Sequence, residues 1–321
     1  MRNAVLQWCG EWPTGGRPDR PKGVPPIATE VKRGRDTGVK SVAKAVRLID
    51  ALAGSEATSV GVREVARTLR LNPTTAYRLL TTLVEQSVLR YDPSTSRYWL
   101  GPRVLRWAEA YTRGAELPRV AHPLLEALAT ETEETVHLLV ADGDQGVYVD
   151  RVESPLRLRV ACPVGYREPL HCSAVGKALL AHLPSERQEK IIAEGLPAVT
   201  AKTITDPVEL RMHLAQIREV GCAIDDGEGQ MGVRCVGAPI FGASGGVVGA
   251  VSVAGPAARL PHERLLVLAV NVRRSAAAIS KRLGHPGTPA SGEPPRPEGA
   301  PPPQQDHAVR PTGAAPRGAA R

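Results

Sequence analysis

The sequence predicts an α+β protein with two unlike domains, an N-terminal winged helix-turn-helix domain and a C-terminal domain of mixed strands and helices. Three observations predict it. Two short apolar repeats at helical spacing meet at a tight turn between residues 59 and 89. A short hairpin pattern follows directly. From about residue 120 onward, strand hairpins lie between helical segments, as in an antiparallel sheet flanked by helices.

The helix-turn-helix pattern runs from Ser59 to Leu89. Between its two repeats, Asn72 is a good N-cap and Pro73 suits the first helical position, so the second helix begins sharply. Helices of this kind place their N-terminal side chains on base edges in the major groove of DNA. The candidate DNA-binding residues of this helix are Thr74, Thr75, Tyr77 and Arg78. An amphipathic helix pair with a solvated polar face would show the same pattern.

The stretch RYDPSTSRYWLG favours the DNA-binding interpretation, because it predicts a hairpin directly after the helix pair. A helix-turn-helix followed by a hairpin is a winged helix. Its tip, which would carry Ser94, Thr95, Ser96 and Arg97, is predicted to be polar, slim and basic. We expect Arg97 to contact the DNA backbone or the minor groove.

Two further helices complete the N-terminal half. The first is predicted to begin at an N-cap, Ser41, and to close at Gly54. The second, a linker helix over residues 102–115, opens at Pro102 and has one broad apolar side: Val104, Leu105, Trp107, Ala108 and Tyr111. We expect this side to pack against a second copy of the chain, as a homodimer or a tetramer.

Charge is concentrated at the front of a chain whose formal net charge is +8. Residues 41–101 carry 8 Lys and Arg against 5 Asp and Glu, whereas residues 102–283 carry 21 of each. A basic front half joined to a neutral back half is typical of a DNA-binding module attached to a ligand-sensing module.

Other classes of protein are disfavoured by composition. Five cysteines without a CxxC pair argue against a disulfide scaffold, and no run suggests a membrane span or a signal peptide. We therefore expect a cytoplasmic protein with no membrane partner, no cofactor, no metal site and no catalytic residues. Residues 1–38 and the Pro-rich residues 284–321 are predicted to be disordered tails.

The predicted domains are thus the winged helix at 39–101, the linker helix at 102–115 and the sensor domain at 116–283. In the last of these, LRLRVACPVG at 156–165 is predicted to be a strand and SAVGKALLAHL a helix. A hairpin is predicted to turn at Asp142-Gly143-Asp144, and two long strands are predicted around Gly242 to Gly246.

Four blocks of the chain together resemble the IclR family of bacterial transcriptional regulators. They are SVAKAVRLIDALA, NPTTAYRLLTTL, GYREPLHCSAVGKALLA and GCAIDDGEGQMGVRCVGAPIFGASGGVVGAVSVAGP. The resemblance covers about residues 41–283 in unbroken order. It implies winged helices that bind palindromic operator DNA as a dimer or tetramer, and a GAF-like α/β domain that binds a small organic effector.

The resemblance also implies where the effector binds. It implies contacts with the helix start after Ser173, where free amides favour a carboxylate, so we expect an organic acid. The implied effector-binding residues are Ala174, Val175, Asp225, Cys235 and Ser252, with Val160 and Val233 as apolar walls. An ordinary structural explanation is also open: Ser173 can be a helix cap, Cys235 a buried thiol, and Asp225-Asp226 a solvated acid pair.

Four positions depart from the family pattern. Arg70 and Ser87 stand at turns where glycine is common in the family. A positive φ would cost each of them about 1 kcal/mol, so we expect the backbone there to be slightly remodelled and Arg70 to come within reach of phosphate. Ala254 removes a hydroxyl from the effector site, and Glu168 is predicted to make the mouth of that site more acidic.

Two alternative functions rest on thiol chemistry. Cys172, beside His171 near a helix start, is a candidate nucleophile for a GAF-like thiol enzyme. Cys162 and Cys172 flank the predicted effector loop, which allows a redox sensor in which oxidation replaces effector binding.

Overall fold

The structure is a computed structural model that describes residues 39–53, 59–160 and 162–286. The predicted tail at 1–38, nearly all of the tail at 284–321, and Gly54 lie outside these ranges. Within the described ranges, no helix is both long and apolar enough to cross a bilayer. The predicted α+β class is confirmed, with a winged helix-turn-helix followed by a mixed domain.

Five elements form the N-terminal domain: α1 (Lys40–Ala53), α2 (Val62–Thr68), α3 (Pro73–Glu85), β1 (Leu89–Asp92) and β2 (Arg97–Leu100). The two strands pair antiparallel, with Leu89 opposite Leu100 and Asp92 opposite Arg97, so the predicted wing is present. All three helices and the wing contribute to one apolar core, which includes Leu48, Leu52, Val65, Ala66, Ala76, Leu80, Leu83, Leu89 and Tyr98.

Helix α1 differs from the prediction at its start. Ser41 lies inside the helix and is not its N-cap, because the carbonyl of Val39 already accepts the N–H groups of Val42 and Ala43 at 3.0 and 3.2 Å. Val42 and Val46, predicted as part of the apolar side, are 60% and 51% exposed. Only Leu48 and Leu52 of this helix are buried.

The turn between α2 and α3 keeps a positive φ, so the expected remodelling of the backbone is wrong. Arg70 lies at φ 52°, its N–H donates to the carbonyl of Arg67, and the N–H of Leu71 donates to the carbonyl of Ala66 at 2.8 Å. This pair of hydrogen bonds is a Schellman motif, whose left-handed position glycine normally occupies. An arginine there costs roughly 1–2 kcal/mol in backbone energy.

Helix α3 ends in the same motif. Ser87 lies at φ 57°, its N–H donates to the carbonyl of Val84 at 2.8 Å, and the N–H of Val88 donates to the carbonyl of Leu83 at 2.9 Å. Both departures from glycine are therefore strained turns and not remodelled ones.

Two helices lead into the second domain. The predicted linker helix is α4 (Arg103–Gly114), and α5 (Glu116–Thr132) follows it after a break at Ala115. Helix α4 has no buried residue; Leu105, Trp107 and Tyr111 are 70%, 51% and 56% exposed. Burial of this side against a second copy stays a prediction.

The C-terminal domain is built on an antiparallel sheet of six strands in the order β5-β4-β3-β8-β7-β6. Its strands are β3 (Thr135–Asp142), β4 (Gln145–Val152), β5 (Arg167–Pro169), β6 (Ala223–Asp226), β7 (Val233–Phe241) and β8 (Val247–Pro256). Helices α5 and α9 (His262–Arg282) pack on one face. The other face carries α6 (Ala174–Leu180), α7 (Ser185–Ala193) and α8 (Pro207–Val220).

The predicted strand at 156–165 is wrong. Its described residues, 156–160 and 162–165, form no strand, and the place beside β4 is taken by β5, with Arg167 opposite Val147. Leu158 is 68% exposed, so the alternation LRLRV does not mark a half-buried strand. The chain turns away at Ser154, whose Oγ donates to the carbonyl of Glu133 and accepts from the N–H of Leu156.

Strand β6 was absent from the prediction, because four residues are too few to show a period. It pairs with β7, and this pairing places Asp225 in the sheet and not in a solvated loop. The predicted hairpin at Asp142-Gly143-Asp144 and the two strands around Gly242 to Gly246 are confirmed.

Gly237 in β7 sets the distance between the sheet and the start of α6. A Cβ atom there would lie 2.7 Å from the carbonyl oxygen of Ala174 and 2.8 Å from the amide nitrogen of Val175. Real Cβ atoms do not approach backbone so closely, so only glycine lets the helix start rest directly on the strand.

We expect Gly237→Ala to destabilise the protein by about 2–3 kcal/mol, because the methyl group forces α6 away from β7. Chemical denaturation measures the difference. Gly114→Ala is the matched control, since nothing lies within 4 Å of its added methyl group. Equal stability of the two variants would show that α6 moves freely over the sheet.

Candidate DNA interface and effector site

The first turns of α3 present polar side chains to solvent. Thr74 and Arg78 are exposed, Tyr77 is 55% exposed and Thr75 is half-buried. The helix start is fixed as predicted, with the Oδ1 of Asn72 accepting the N–H of Thr75 at 2.7 Å. On the opposite side of the helix, Ala76 and Leu80 are fully buried. The four predicted contact residues therefore project from an anchored helix end.

Arg97 is not at the wing tip, and this corrects the prediction. It is the first residue of β2, and its guanidinium donates to the Oγ and the carbonyl of Ser59, both at 2.7 Å. It also pairs with Glu64 at 3.3 Å. Arg97 therefore braces the wing against the start of α2, and its contact with DNA stays a prediction.

The tip itself is capped by an acid. The carboxylate of Asp92 accepts the N–H and the Oγ of Ser94 at 2.8 and 2.6 Å, and the Oγ1 of Thr95 at 2.9 Å. The side-chain and backbone hydrogen bonds of Ser94 hold the pKa of Asp92 below its ordinary value. The tip is polar and slim as predicted, but it is not basic.

Unpaired positive charge lies elsewhere in this domain. Within the described part of residues 39–101, five exposed arginines make no side-chain hydrogen bond or ion pair: Arg63, Arg67, Arg70, Arg78 and Arg90. Such side chains are available to phosphate groups.

In the second domain, the sheet brings most of the predicted effector residues onto the face that carries α6, which we call the α6 face. Residues opposite each other in register share a face. Asp225 lies opposite Cys235, and Cys235 opposite Ala254. Ser252 lies in the adjacent register row, opposite Gly237, and so under Ala174 and Val175.

The two predicted apolar walls differ in position. Val233, which is 7% exposed, starts β7 two residues before Cys235 and shares its face. Val160 is half-buried in the loop between β4 and β5.

The start of α6 is capped from within. The Oγ of Ser173 accepts the N–H of Gly176 at 3.0 Å and donates to a carboxylate oxygen of Glu168. Ala174 and Val175 are buried. Their amide N–H groups lie in the first turn of the helix, so they have no hydrogen-bond acceptor within the helix.

Glu168 is buried, whereas a residue at the mouth of the site was expected to be exposed. It is 8% exposed, and its carboxyl meets the hydroxyls of Ser173 and Tyr148. Within the described residues it has no basic partner. Burial raises the pKa of Glu168 to about 7; the two hydroxyls lower it, and nearby Asp225 raises it further.

Asp225 binds the turn that follows its strand. Its Oδ1 accepts the N–H of Glu228 at 2.6 Å, and the amides of Gly227 and Gly229 also donate to it. Burial raises the pKa of Asp225, against the opposing effects of Lys177 and these amides. The carboxylate therefore holds the 227–229 turn beside α6.

A buried ion pair joins the same turn to α6. The Nζ of Lys177 lies 2.5 and 2.6 Å from the two carboxylate oxygens of Glu228, and both side chains are 1% exposed. Lys177 also favours the ionised form of Asp225, but it is not among the groups that act on the pKa of Glu168. Removing one partner of such a pair costs about 3–5 kcal/mol.

His137 lies among the candidate effector residues, and no pattern in the sequence singled it out. It lies on the α6 face opposite Ser252, and its Nε2 accepts the N–H of Cys162 at 3.2 Å. Arg151 donates to the carbonyl of Cys162 at 3.1 Å. Burial lowers the pKa of His137 to about 4, so it is neutral and holds the loop that carries Val160.

The cysteines of the α6 face lack the character of reactive thiols. Burial raises the pKa of Cys162 to about 12, and burial likewise raises the pKa values of Cys172 and Cys235 well above the ordinary value. Nucleophilic thiols need a lowered pKa. Among the described side chains, no group of three His, Cys, Asp or Glu residues is placed to hold a metal ion.

A separate open cleft of about 660 Å³ lies at the other end of α6. Its polar side chains cap the carbonyls there: Gln188 donates to Leu183 at 2.7 Å and Arg218 to Ala181 at 3.1 Å. Since these polar side chains already donate hydrogen bonds to backbone carbonyls, the cleft is not the predicted effector site.

Comparison with known proteins gives two family matches. Residues 41–93 match the IclR helix-turn-helix domain, and residues 109–281 match the family described as bacterial transcriptional regulator IclR C-terminal. The HTH-type transcriptional regulator BhcR of Paracoccus denitrificans is 34% identical over 76% of this chain and 87% of its own.

Solved structures agree with these matches. The IclR protein of Thermotoga maritima is similar at a TM-score of 0.66 and 30% identity, covering 77% of this chain and 99% of its own. An IclR homologue from Microbacterium hydrocarbonoxydans, solved in complex with 4-hydroxybenzoate, reaches a TM-score of 0.65 and 25% identity over 76% of this chain and 98% of its own.

We expect stability to depend on pH through Glu168. Its folded pKa of about 7 lies above the ordinary value of 4.5, so folding takes up a proton between these values and stability falls as pH rises through them. The free energy of unfolding of Glu168→Gln, relative to that of wild type, should therefore increase by about 2 kcal/mol as the pH rises from about 5.5 to about 8.5. Urea unfolding at several pH values measures the gain, with exposed Glu186→Gln as the control. A gap that stays constant with pH would contradict the assignment.

Proposed function

The chain belongs to the IclR family of bacterial transcriptional regulators. We propose that it binds operator DNA through α3 and that a small organic acid changes its affinity for this DNA. The observation that carries the proposal is the anchored start of α3, where Thr74, Tyr77 and Arg78 are exposed to solvent. No thiol step is needed, because the buried cysteines are protonated.

On DNA, α3 enters the major groove with its N-terminal end first. Arg78 donates two hydrogen bonds to a guanine base. Thr74 and Thr75 each make one hydrogen bond to the DNA, which either recognises a base or positions the helix. Tyr77 adds an apolar and hydroxyl contact. The wing lies along the backbone, and Arg97 contributes by keeping it in place as well as by any contact of its own.

Two copies of the chain read a palindromic operator. A second copy would cover the exposed side of α4, including Leu105, Trp107 and Tyr111, whose exposure is otherwise costly in water. The assembly is a homodimer or a dimer of dimers.

The effector lies on the α6 face, with its carboxylate at the amides of Ala174 and Val175. Ser252 and the Cys235 thiol contact its polar groups, Val160 and Val233 cover its apolar part, and Asp225 holds the turn that closes the site. The complex of the Microbacterium homologue with 4-hydroxybenzoate supports an acid of this class.

We expect Arg78→Ala to abolish sequence-specific DNA binding and to leave the melting temperature unchanged, because the side chain is exposed and makes no internal contact. A gel shift on the DNA upstream of the gene tests this. Arg282→Ala, an exposed arginine at the end of α9, serves as the control and should bind like wild type. Wild-type affinity in Arg78→Ala would remove α3 from the interface.

We expect effector binding to depend on pH through Glu168. An anionic acid beside an ionised Glu168 is repelled, so an acid from a panel that includes 4-hydroxybenzoate should raise the melting temperature more below the Glu168 pKa of about 7 than above it. In Glu168→Gln the shift should lose this pH dependence. A shift for the acid that is equal or larger at high pH in wild type would contradict repulsion by Glu168.

A further inference from the structure

We propose that Arg70, in the turn between α2 and α3, contacts a DNA phosphate at the edge of the major groove. This inference rests on the proposed DNA-binding function. It assigns to Arg70 the backbone contact that the sequence assigned to Arg97.

The first step is that Arg97 is already occupied. Its guanidinium has three internal contacts, two with Ser59 and one with Glu64. Arg70 is exposed and its side chain has no hydrogen bond or ion pair within the described residues. A phosphate contact therefore displaces nothing at Arg70, whereas at Arg97 it would break the brace of the wing.

The second step is the backbone. Arg70 and Ser87 occupy the same left-handed position in two Schellman motifs, where glycine would be more stable. Strained residues of this kind are retained where the surrounding structure or a function requires them. The fold requires only a left-handed backbone conformation at position 70, which glycine would adopt without strain. The guanidinium group is therefore what arginine adds at this position.

The third step is position. Arg70 stands two residues before Asn72, so its Cα lies within about 7 Å of the residue that caps α3. When α3 enters a major groove about 12 Å wide, residues at this distance from its end lie beside a phosphate wall. Arg67 and Arg63 on α2 are also exposed, so they add positive charge to the same domain.

The test compares Arg70→Gly, Arg70→Lys and Ser87→Gly in the full-length chain. Fluorescence anisotropy with a labelled mixed-sequence duplex, over a series of KCl concentrations, gives the slope of log Kobs against log salt. Arg70→Gly should reduce the slope by about 1 per bound protomer and weaken binding about fivefold per protomer near 0.15 M salt. Its melting temperature should rise, because the strained backbone is relieved.

Ser87→Gly makes the same backbone change without removing a charge, so its melting temperature should rise and its salt slope should equal that of wild type. Arg70→Lys should keep the slope. An unchanged slope in Arg70→Gly, or an equal loss in Arg70→Lys and Ser87→Gly, would overturn the assignment of Arg70 alone. Failure of wild type to bind any duplex at low salt would overturn the proposed function together with it.

Discussion

The direct contact between the start of α6 and strand β7 determines the geometry of the α6 face. Gly237 allows the backbone of Ala174 and Val175 to rest on the strand, and every other group of the α6 face is placed relative to that contact. Lys177 and Glu228 then fix the 227–229 turn against the helix. Because both contacts are buried, they would hold the proposed effector site in place before a ligand binds, and pre-organisation of this kind lowers the entropic cost of binding.

The α6 face has more buried acid than buried base. Glu168, Asp225 and Glu228 are all buried there, while Lys177 is the one buried cation in the described part of the chain. A fold selected for stability alone would place apolar residues at such positions, since an uncompensated buried carboxyl must bind a proton or lose stability. Perturbed carboxyls that converge on one face are typical of a binding site.

The sequence was informative where structure is local. The start of α3 follows from Asn72 and Pro73. The family resemblance also located the turn at Arg70, although the remodelling expected there is absent. It was uninformative where partners are distant along the chain: Arg97 meets Ser59 from 38 residues away, and Glu168 is buried because β5 takes the edge position beside β4. The false strand at 156–165 shows the same limit, because alternation predicts a strand only if one side is covered.

The two domains use charge in opposite ways. The winged helix exposes unpaired arginines, whose attraction to phosphate is screened by salt. The α6 face instead buries carboxyls, whose charge depends on pH and is little affected by salt, because they are removed from solvent. In the proposed function, ionic strength would therefore act mainly on DNA binding by the winged helix and pH mainly on effector binding at the α6 face, so the two interactions would be separable in one protein. Any coupling between them must pass through the arrangement of the domains, since their electrostatics respond to different conditions.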